Sequence, residues 1–144
     1  MKSRTVVLIS VSAVVTAVGL YALSEFDREP LTAGQREEVA TVSAEDLHAA
    51  FLADEAAANA RYVGAIEQVI RVNGVVRSVE DAVGGKVSVV LETADAMAGV
   101  VCEFEQGAVP ATWKAGDRIS LKGICTGVND LIPDVILVRC AAME

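Results

Sequence analysis

A run of nineteen residues without a charge lies near the start of the chain, from Thr5 to Leu23. As an α-helix this run would be about 28 Å long, which is close to the thickness of the hydrocarbon core of a bilayer. A helix that packs on a globular core usually keeps one polar face, and this run has none beyond its Ser and Thr residues. The run therefore predicts a single transmembrane helix, with residues 1–24 as the membrane anchor.

The charges on either side of this run predict its orientation. Lys2 and Arg4 precede it, whereas residues 24–29 carry three acids and one base. Positive residues stay on the cytoplasmic side, so the rest of the chain is expected outside the cytoplasmic membrane, on the periplasmic side. A cleaved signal peptide is the alternative, with Ala22-Leu23-Ser24 as the cleavage site and an exported soluble domain as the product.

The next part of the chain changes from a linker to a helix. Residues 25–42 are charged, contain Pro30 and Gly34 and lack apolar periodicity, which predicts a juxtamembrane linker. Ser43 is a suitable N-cap because acidic residues follow it in the first turn. A helix is predicted from Ala44 to Tyr62, and residues 43–144 are predicted to form the folded domain.

The remainder of the chain is typical of β-structure, with alternating apolar residues separated by turn residues. The first strand is long, and Gly74 in its middle predicts the bend that would let one strand serve both halves of a barrel. Gly84-Gly85 predicts a hairpin turn. Five strands in so short a segment predict a small closed barrel; their predicted bounds are Glu67–Val79, Lys86–Thr93, Val100–Glu105, Arg118–Cys125 and Asp134–Ala142.

Several of these segments resemble one protein family. They are SAEDLHAAFLADEAAANARYVG, VIRVNGVVRSVE, VVCEFE, KAGDRISLKGICTG and DVILVRC. Together they are similar to tRNA_anti-like proteins, a family of small bacterial membrane-associated or exported proteins with an OB fold. The resemblance implies a mainly β fold: a five-stranded OB barrel with an N-terminal packing α-helix, preceded here by the transmembrane helix. It implies no particular activity, because one fold serves many functions.

The composition provides few groups for catalysis or metal binding. The chain has one His and three Cys, and the cysteines lie on three different predicted strands without a C-x-x-C pair. His48 is interpreted as a surface or half-buried residue of the helix, because no second catalytic partner accompanies it. We therefore predict a protein that is not an enzyme and has no catalytic residues, metal site or cofactor.

Two binding functions remain open. OB folds that bind single-stranded nucleic acid use a basic groove and aromatic residues on the second and third strands. Here the second strand has no aromatic residue, Phe104 on the third has the parity of the core, and the whole chain carries a net charge of −8. We therefore predict a membrane-anchored binding or scaffold module, with an unknown envelope protein or small ligand as its partner. A single-stranded nucleic-acid-binding OB domain is the alternative.

The three cysteines allow one disulfide. Strand parity turns Cys102 inward with Phe104 and Cys125 inward with Leu121, while Cys140 shares the parity of Val138. In an OB barrel the third and fifth strands are neighbours, and Cys125 would lie opposite the start of the fifth strand. If a bridge forms, Cys102 and Cys140 are therefore the better pair. Three reduced cysteines in the core remain the alternative.

Overall fold

The computed structural model describes residues 15–21 and 33–144. The chain divides into two compact units, Met1–Pro30 and Leu31–Glu144. In the first unit residues 15–21 are helical, and the rest of the predicted span Thr5–Leu23 lies outside the described residues. Within the two described ranges, no helix is both long enough and apolar enough to cross a membrane.

The second unit is a closed five-stranded barrel with one additional strand. Hydrogen-bonded neighbours follow the order β1-β2-β3-β4-β6-β5, and β5 returns to pair with β2. The closed circuit from β2 to β6 is the predicted OB topology, in which the third and fifth barrel strands, β4 and β6, pair in parallel. The strands are β1 (Ala40–Ser43), β2 (Val69–Ala82), β3 (Lys86–Leu91), β4 (Val100–Glu105), β5 (Arg118–Val128) and β6 (Val135–Met143).

Alternation of side chains along the strands builds the interior of the barrel. On β4 the buried residues are Val100, Cys102 and Phe104, as the sequence predicts, and Val101 and Glu103 face outward. The hairpin between β2 and β3 turns at Gly84 and Gly85, both with positive φ, a conformation that glycine adopts without steric cost. The predicted turn is therefore confirmed.

The long strand β2 is shared by both halves of the barrel, but the irregularity is not at Gly74. Residues 69–75 pair with β5 in regular register, and Gly74 lies opposite Ile119. The register shifts between Val76 and Ser78, where β2 pairs with β3, so the bulged residue is Arg77. Gly74 is needed for another reason: a Cβ there would lie 3.0 Å from the Cβ of Ala44 and 3.2 Å from Leu91 Cδ1.

The predicted helix begins as expected and is interrupted once. Helix α1 (Ala44–Ala53) starts at Ser43, whose hydroxyl accepts a hydrogen bond from the Asp46 backbone amide at 3.0 Å. Asp54 has extended backbone angles and caps a second short helix, α2 (Glu55–Ala58), which continues as a π-helical turn (Asn59–Val63). The chain then leaves the helix at Gly64, which has a positive φ and lies two residues after the predicted end at Tyr62.

Residues 33–42, which the sequence assigns to the linker, pack on the barrel. Ala33 is fully buried against Val69 and Ile124 on the outer surface of the sheet. β1 then adds in parallel to the first half of β2, with Ala40 opposite Ile70. We call residues 33–39 the strap. It has no apolar periodicity because only Ala33 is deeply buried, so the pattern gave no sign of its packing.

Candidate ligand-binding groove

A wide depression on the barrel unit lies where α1 begins. It is a cavity of about 690 Å³ that opens to solvent, a size typical of ligand sites. The α1 N-terminus, the middle of β2, the end of β3 and the start of β5 meet here. The lining residues are Ser43–Glu45, Asn73–Val75, Glu92–Ala94, Trp113, Arg118–Ser120 and the last two residues of the chain.

Trp113 is the aromatic residue of this cavity. It lies on the connector between β4 and β5, where its backbone amide donates to the Pro110 carbonyl oxygen at 3.0 Å. Its ring packs edge-to-face on the buried ring of Phe104, with centroids 5.8 Å apart and planes at 86°. Because Phe104 holds one part of the indole, Trp113 stays half-buried and its remaining surface lines the cavity.

Acidic side chains stand at the rim of the cavity. Glu45 follows the N-cap of α1, and Glu92 follows the end of β3. Both are exposed and, among the described residues, neither makes an ion pair or a side-chain hydrogen bond. Arg118 at the start of β5 is the one basic side chain in the lining. The rim is therefore acidic and available to a ligand.

A second depression of about 510 Å³ adjoins the first. The two share Glu45 and Ala94, so they form one elongated groove between α1 and the loop that joins β3 to β4. Leu52 and Ala49 line this second part from the helix, opposite Ala94–Ala96. We refer to the two depressions together as the groove.

The bulge in β2 stabilises the loop wall of the groove. Arg77, the bulged residue, donates from Nη2 to the Asp95 carbonyl oxygen at 2.9 Å and from Nη1 to that of Ala98 at 3.1 Å. The Thr93 hydroxyl also donates to the Ala98 carbonyl oxygen at 2.8 Å. The loop therefore has a defined conformation, and its small side chains leave the groove open.

His48 lies beneath this groove and is buried, with 2% of its surface exposed. The interpretation as a surface or half-buried residue is therefore wrong. Its Nε2 lies 2.9 Å from the Pro133 carbonyl oxygen. A carbonyl oxygen only accepts, so Nε2 carries the hydrogen and donates it. This bond links α1 to the loop between β5 and β6, which is a structural role.

The three cysteines are free and buried. Cys102 on β4 and Cys125 on β5 lie opposite the same residue of β6, Leu137, and both belong to the core, as parity predicts. The prediction that Cys140 lies on the same face of β6 as Val138 is wrong. Val138 is partly exposed and Cys140 is buried, because β6 is bulged at Arg139.

The Cys140 thiol lies beside that of Cys102. Burial raises the pKa of Cys140 well above its ordinary value, and the neighbouring Cys102 thiol raises it further. Burial also raises the pKa of Cys125, to about 11. Cys125 and Cys140 are therefore thiols at neutral pH and poor nucleophiles in the folded protein. The described residues contain no group of three side chains suited to a metal ion.

The outer surface of β3 and β4 is where an OB fold would bind a nucleic acid strand. Here Lys86 lies opposite Glu105, Ser88 opposite Glu103 and Val90 opposite Val101. An ion pair of 3.6 Å also joins Lys86 to Glu103. This face therefore offers neither aromatic residues nor a basic surface to a nucleic acid.

Basic residues do cluster elsewhere, under the strap. Glu38 accepts from Arg71 at 2.9 Å and forms an ion pair with the buried Lys122. The Lys122 ammonium also donates to the Arg36 carbonyl oxygen at 3.2 Å. Glu38 therefore occupies the position between these two cations, and the cluster fixes the strap to β2 and β5.

The sequence did not bring the groove residues together. In the sequence Glu45 belongs to the helix start, and Trp113 lies in a connector without a regular pattern. The one available signal is Trp113 itself, since a large aromatic residue in a polar connector usually contacts something apolar. Glu92 and Arg118 give no such signal, because single charged residues at strand ends are common on protein surfaces.

Comparison with known proteins concerns the family and the fold. No curated protein matches the chain. Among solved structures, "OBody AM3L09 bound to hen egg-white lysozyme" is similar at 20% identity, with a TM-score of 0.37 over 54% of this chain and 82% of that chain. The sequence model of the tRNA_anti-like family matches residues 1–142. Because this match spans almost the whole chain, the protein belongs to the tRNA_anti-like family.

Proposed function

We propose that this protein is a membrane-anchored binding module that holds a partner protein of the cell envelope in its groove. The OB fold of the family suggests a binding module. The observation that carries the proposal is the groove itself, in which the half-buried Trp113 lies among exposed carboxylates that have no partner within the described part of the chain. No catalytic role is part of the proposal.

Two features of the groove favour a protein over a small ligand. It is elongated, since two depressions share Glu45 and Ala94, and it is open along its length. Small-molecule sites usually enclose most of the ligand surface, whereas open grooves suit segments of a polypeptide. Leu52, which lines the second depression, has 59% of its surface exposed, which is typical of a contact surface.

The location in the envelope depends on the N-terminal run. Thr5–Leu23 has the length and composition of a membrane span, and Lys2 and Arg4 precede it. The barrel unit then lies outside the cytoplasmic membrane. Two fusions after Glu144 test this, one to a reporter enzyme active only outside the cytoplasm and one to a reporter active only inside. Activity of the inner reporter alone would show that the orientation is the opposite one. A soluble product shortened at about Ser24 would show that the N-terminal run is a cleaved signal peptide and not an anchor.

Site-specific photo-cross-linking in intact membranes tests the groove as the contact site. A photo-reactive residue replaces Ala94, which is exposed and lines both depressions. The control replaces Val83, which is 99% exposed on the hairpin turn at the opposite end of β3. We expect a cross-linked envelope protein from position 94 and none from position 83. Equal products from both positions, or none from either, would contradict the proposal.

Single-stranded nucleic acid is the competing ligand. An oligonucleotide that bound the full-length protein and was displaced by salt would favour that function. The acidic rim of the groove and the acidic face of β4 oppose it, because both repel phosphates. We expect no binding at physiological salt.

A further inference from the structure

We infer that the occupant of the groove is a basic segment of the partner, with lysine or arginine side chains alternating with apolar ones. This inference rests on the proposed function and adds the chemistry of the partner. It follows from the charges of the rim, the apolar walls of the groove and the presence of Trp113 in its lining.

The charges of the groove are predominantly negative. The lining contains four acids, Glu45, Glu92, Asp95 and Glu144, and Arg118 is its one Lys or Arg residue. Glu45 lies at the junction of the two depressions, and Glu92 and Asp95 follow one another along the loop wall. Carboxylates spaced along one groove complement a row of cations, and they repel an acidic segment or a lipid phosphate.

The carboxylates of the rim have not been neutralised by the protein itself. Elsewhere on the barrel some acids are paired, as Glu38 is with Arg71 and Lys122, and others, such as Glu37, have no ion pair in the described part of the chain. Within the described residues, Glu45 and Glu92 have no such partner. The Asp95 carboxylate accepts one hydrogen bond, from the Met97 backbone amide at 2.8 Å, so its other oxygen remains for a ligand.

The apolar surface gives the other half of the recognition. Ala49, Leu52, Ala94 and Ala96 form shallow walls without polar side chains, and Trp113 lies at the other end of the groove. An indole binds cations over its face and packs on apolar stems. Lysine and arginine offer both, since their hydrocarbon stems cover apolar surface while the charged ends reach carboxylates.

A pair of synthetic peptides tests the chemistry with the full-length protein in detergent. In the first peptide lysine alternates with leucine, and in the second glutamate replaces each lysine. We expect the lysine peptide alone to bind, with an affinity that falls as salt is added, because exposed charges are screened. The double variant Glu45→Gln/Glu92→Gln should weaken binding about two- to fivefold for each lost charge pair.

The matched control changes the same number of charges far from the groove. Glu80 and Asp81 are exposed near the hairpin turn at the other end of β3, and Glu80→Gln/Asp81→Asn should leave the affinity for the lysine peptide unchanged. Trp113→Phe keeps an aromatic ring against Phe104 and should weaken binding further, since Trp binds cations better than Phe.

The outcomes separate this inference from the proposed function. If position 94 cross-links to a partner but the two peptides bind equally, or neither binds, the inference of a basic segment is wrong. The proposal that the groove binds a partner is then kept. Equal weakening by the groove variant and by the hairpin control would also overturn the inference, since the effect would then be one of net charge. If nothing cross-links and no peptide binds, the proposed function falls as well.

Discussion

The sulfur of Cys140 occupies the space that a side chain on Gly123 would need. A Cβ on residue 123 would lie 2.7 Å from the Cys140 Sγ and 3.0 Å from the Leu137 Cδ2. This arrangement follows from the bulge in β6, where Arg139 and Cys140 together lie opposite the single residue Gly123. Arg139 takes a φ of 53°, in the left-handed region. The bulge turns Cys140 into the core instead of leaving it on the outer surface.

Replacing this glycine should therefore be costly. We expect Gly123→Ala to lower the free energy of unfolding by about 1–3 kcal/mol, because the added methyl group overpacks the core. Denaturant unfolding measures the change. The double variant Gly123→Ala/Cys140→Ala should lose less than the sum of the two single variants, since the sulfur that meets the methyl group is gone. Additive losses would show that Cys140 does not constrain residue 123.

The same bulge determines which cysteines can join. Cys102 and Cys140 are neighbours in the core, so we expect them to form a disulfide in an oxidising compartment, which is where the proposed function places the barrel. The two thiols would lose two electrons and two protons to a disulfide-exchange protein, which is reduced to its dithiol. The bond closes a loop of 39 residues, counting both cysteines, and would add about 3–4 kcal/mol in the chain-entropy model.

Thiol counting on denatured, unreduced protein from the envelope measures the pairing. One free thiol, that of Cys125, is the expected result, and Cys125→Ser should leave none. Cys140→Ser should leave two, because Cys102 then lacks its partner. Three free thiols in the wild-type protein would contradict the bridge. A bridge that included Cys125 would contradict the contact between Cys102 and Cys140.

The strap should loosen in acid. The pKa of Glu38 is lowered below 4.5, first by the hydrogen bond with the Lys122 ammonium, then by its own backbone amide and the charge of Arg71. This ion pair therefore stabilises the folded state at a pH above the ordinary carboxyl pKa, and the stabilisation is lost as the pH falls through the lowered value.

Glu38→Gln should lower stability at neutral pH and reduce the dependence of stability on pH in the acid range. Thermal unfolding across that range measures both effects. Glu37→Gln is the control, because Glu37 is exposed and makes no ion pair among the described residues. If the stability of the Glu38 and Glu37 variants depended on pH in the same way, the ion pair of Glu38 would have no effect on stability.

Gly74 should be intolerant of larger side chains although it is not the bulged residue. Gly74→Val would bring side-chain atoms against Ala44 at the start of α1 and against Leu91. We expect a loss of about 1–3 kcal/mol in the free energy of unfolding. Asn73→Val is the control, because Asn73 is the exposed neighbour on the same strand. Equal stability of the two variants would contradict the close packing of α1 on β2.

Local patterns predicted most of the barrel because they act over a few residues. Alternation along 100–105 predicted the buried face of β4, and Gly84-Gly85 predicted the hairpin. Patterns failed where contacts between residues far apart in the chain determine which side chains are buried. The linker prediction ended at 42, yet Ala33 is buried because Val69 and Ile124 lie beneath it.

The sequence by itself determined the five barrel strands, the capped start of α1 at Ser43 and an acidic surface without catalytic or metal-binding motifs, because each depends on neighbouring residues or composition. The order of the strands was expected from the resemblance to the family. Only the tertiary structure decided that Glu45, Glu92 and Trp113 line one groove and that Cys140 turns toward Cys102. The physical reason is that closure of the barrel sets these contacts. Residues far apart in the chain meet through strand register, and one bulge at Arg139 reverses the face on which the following side chain lies.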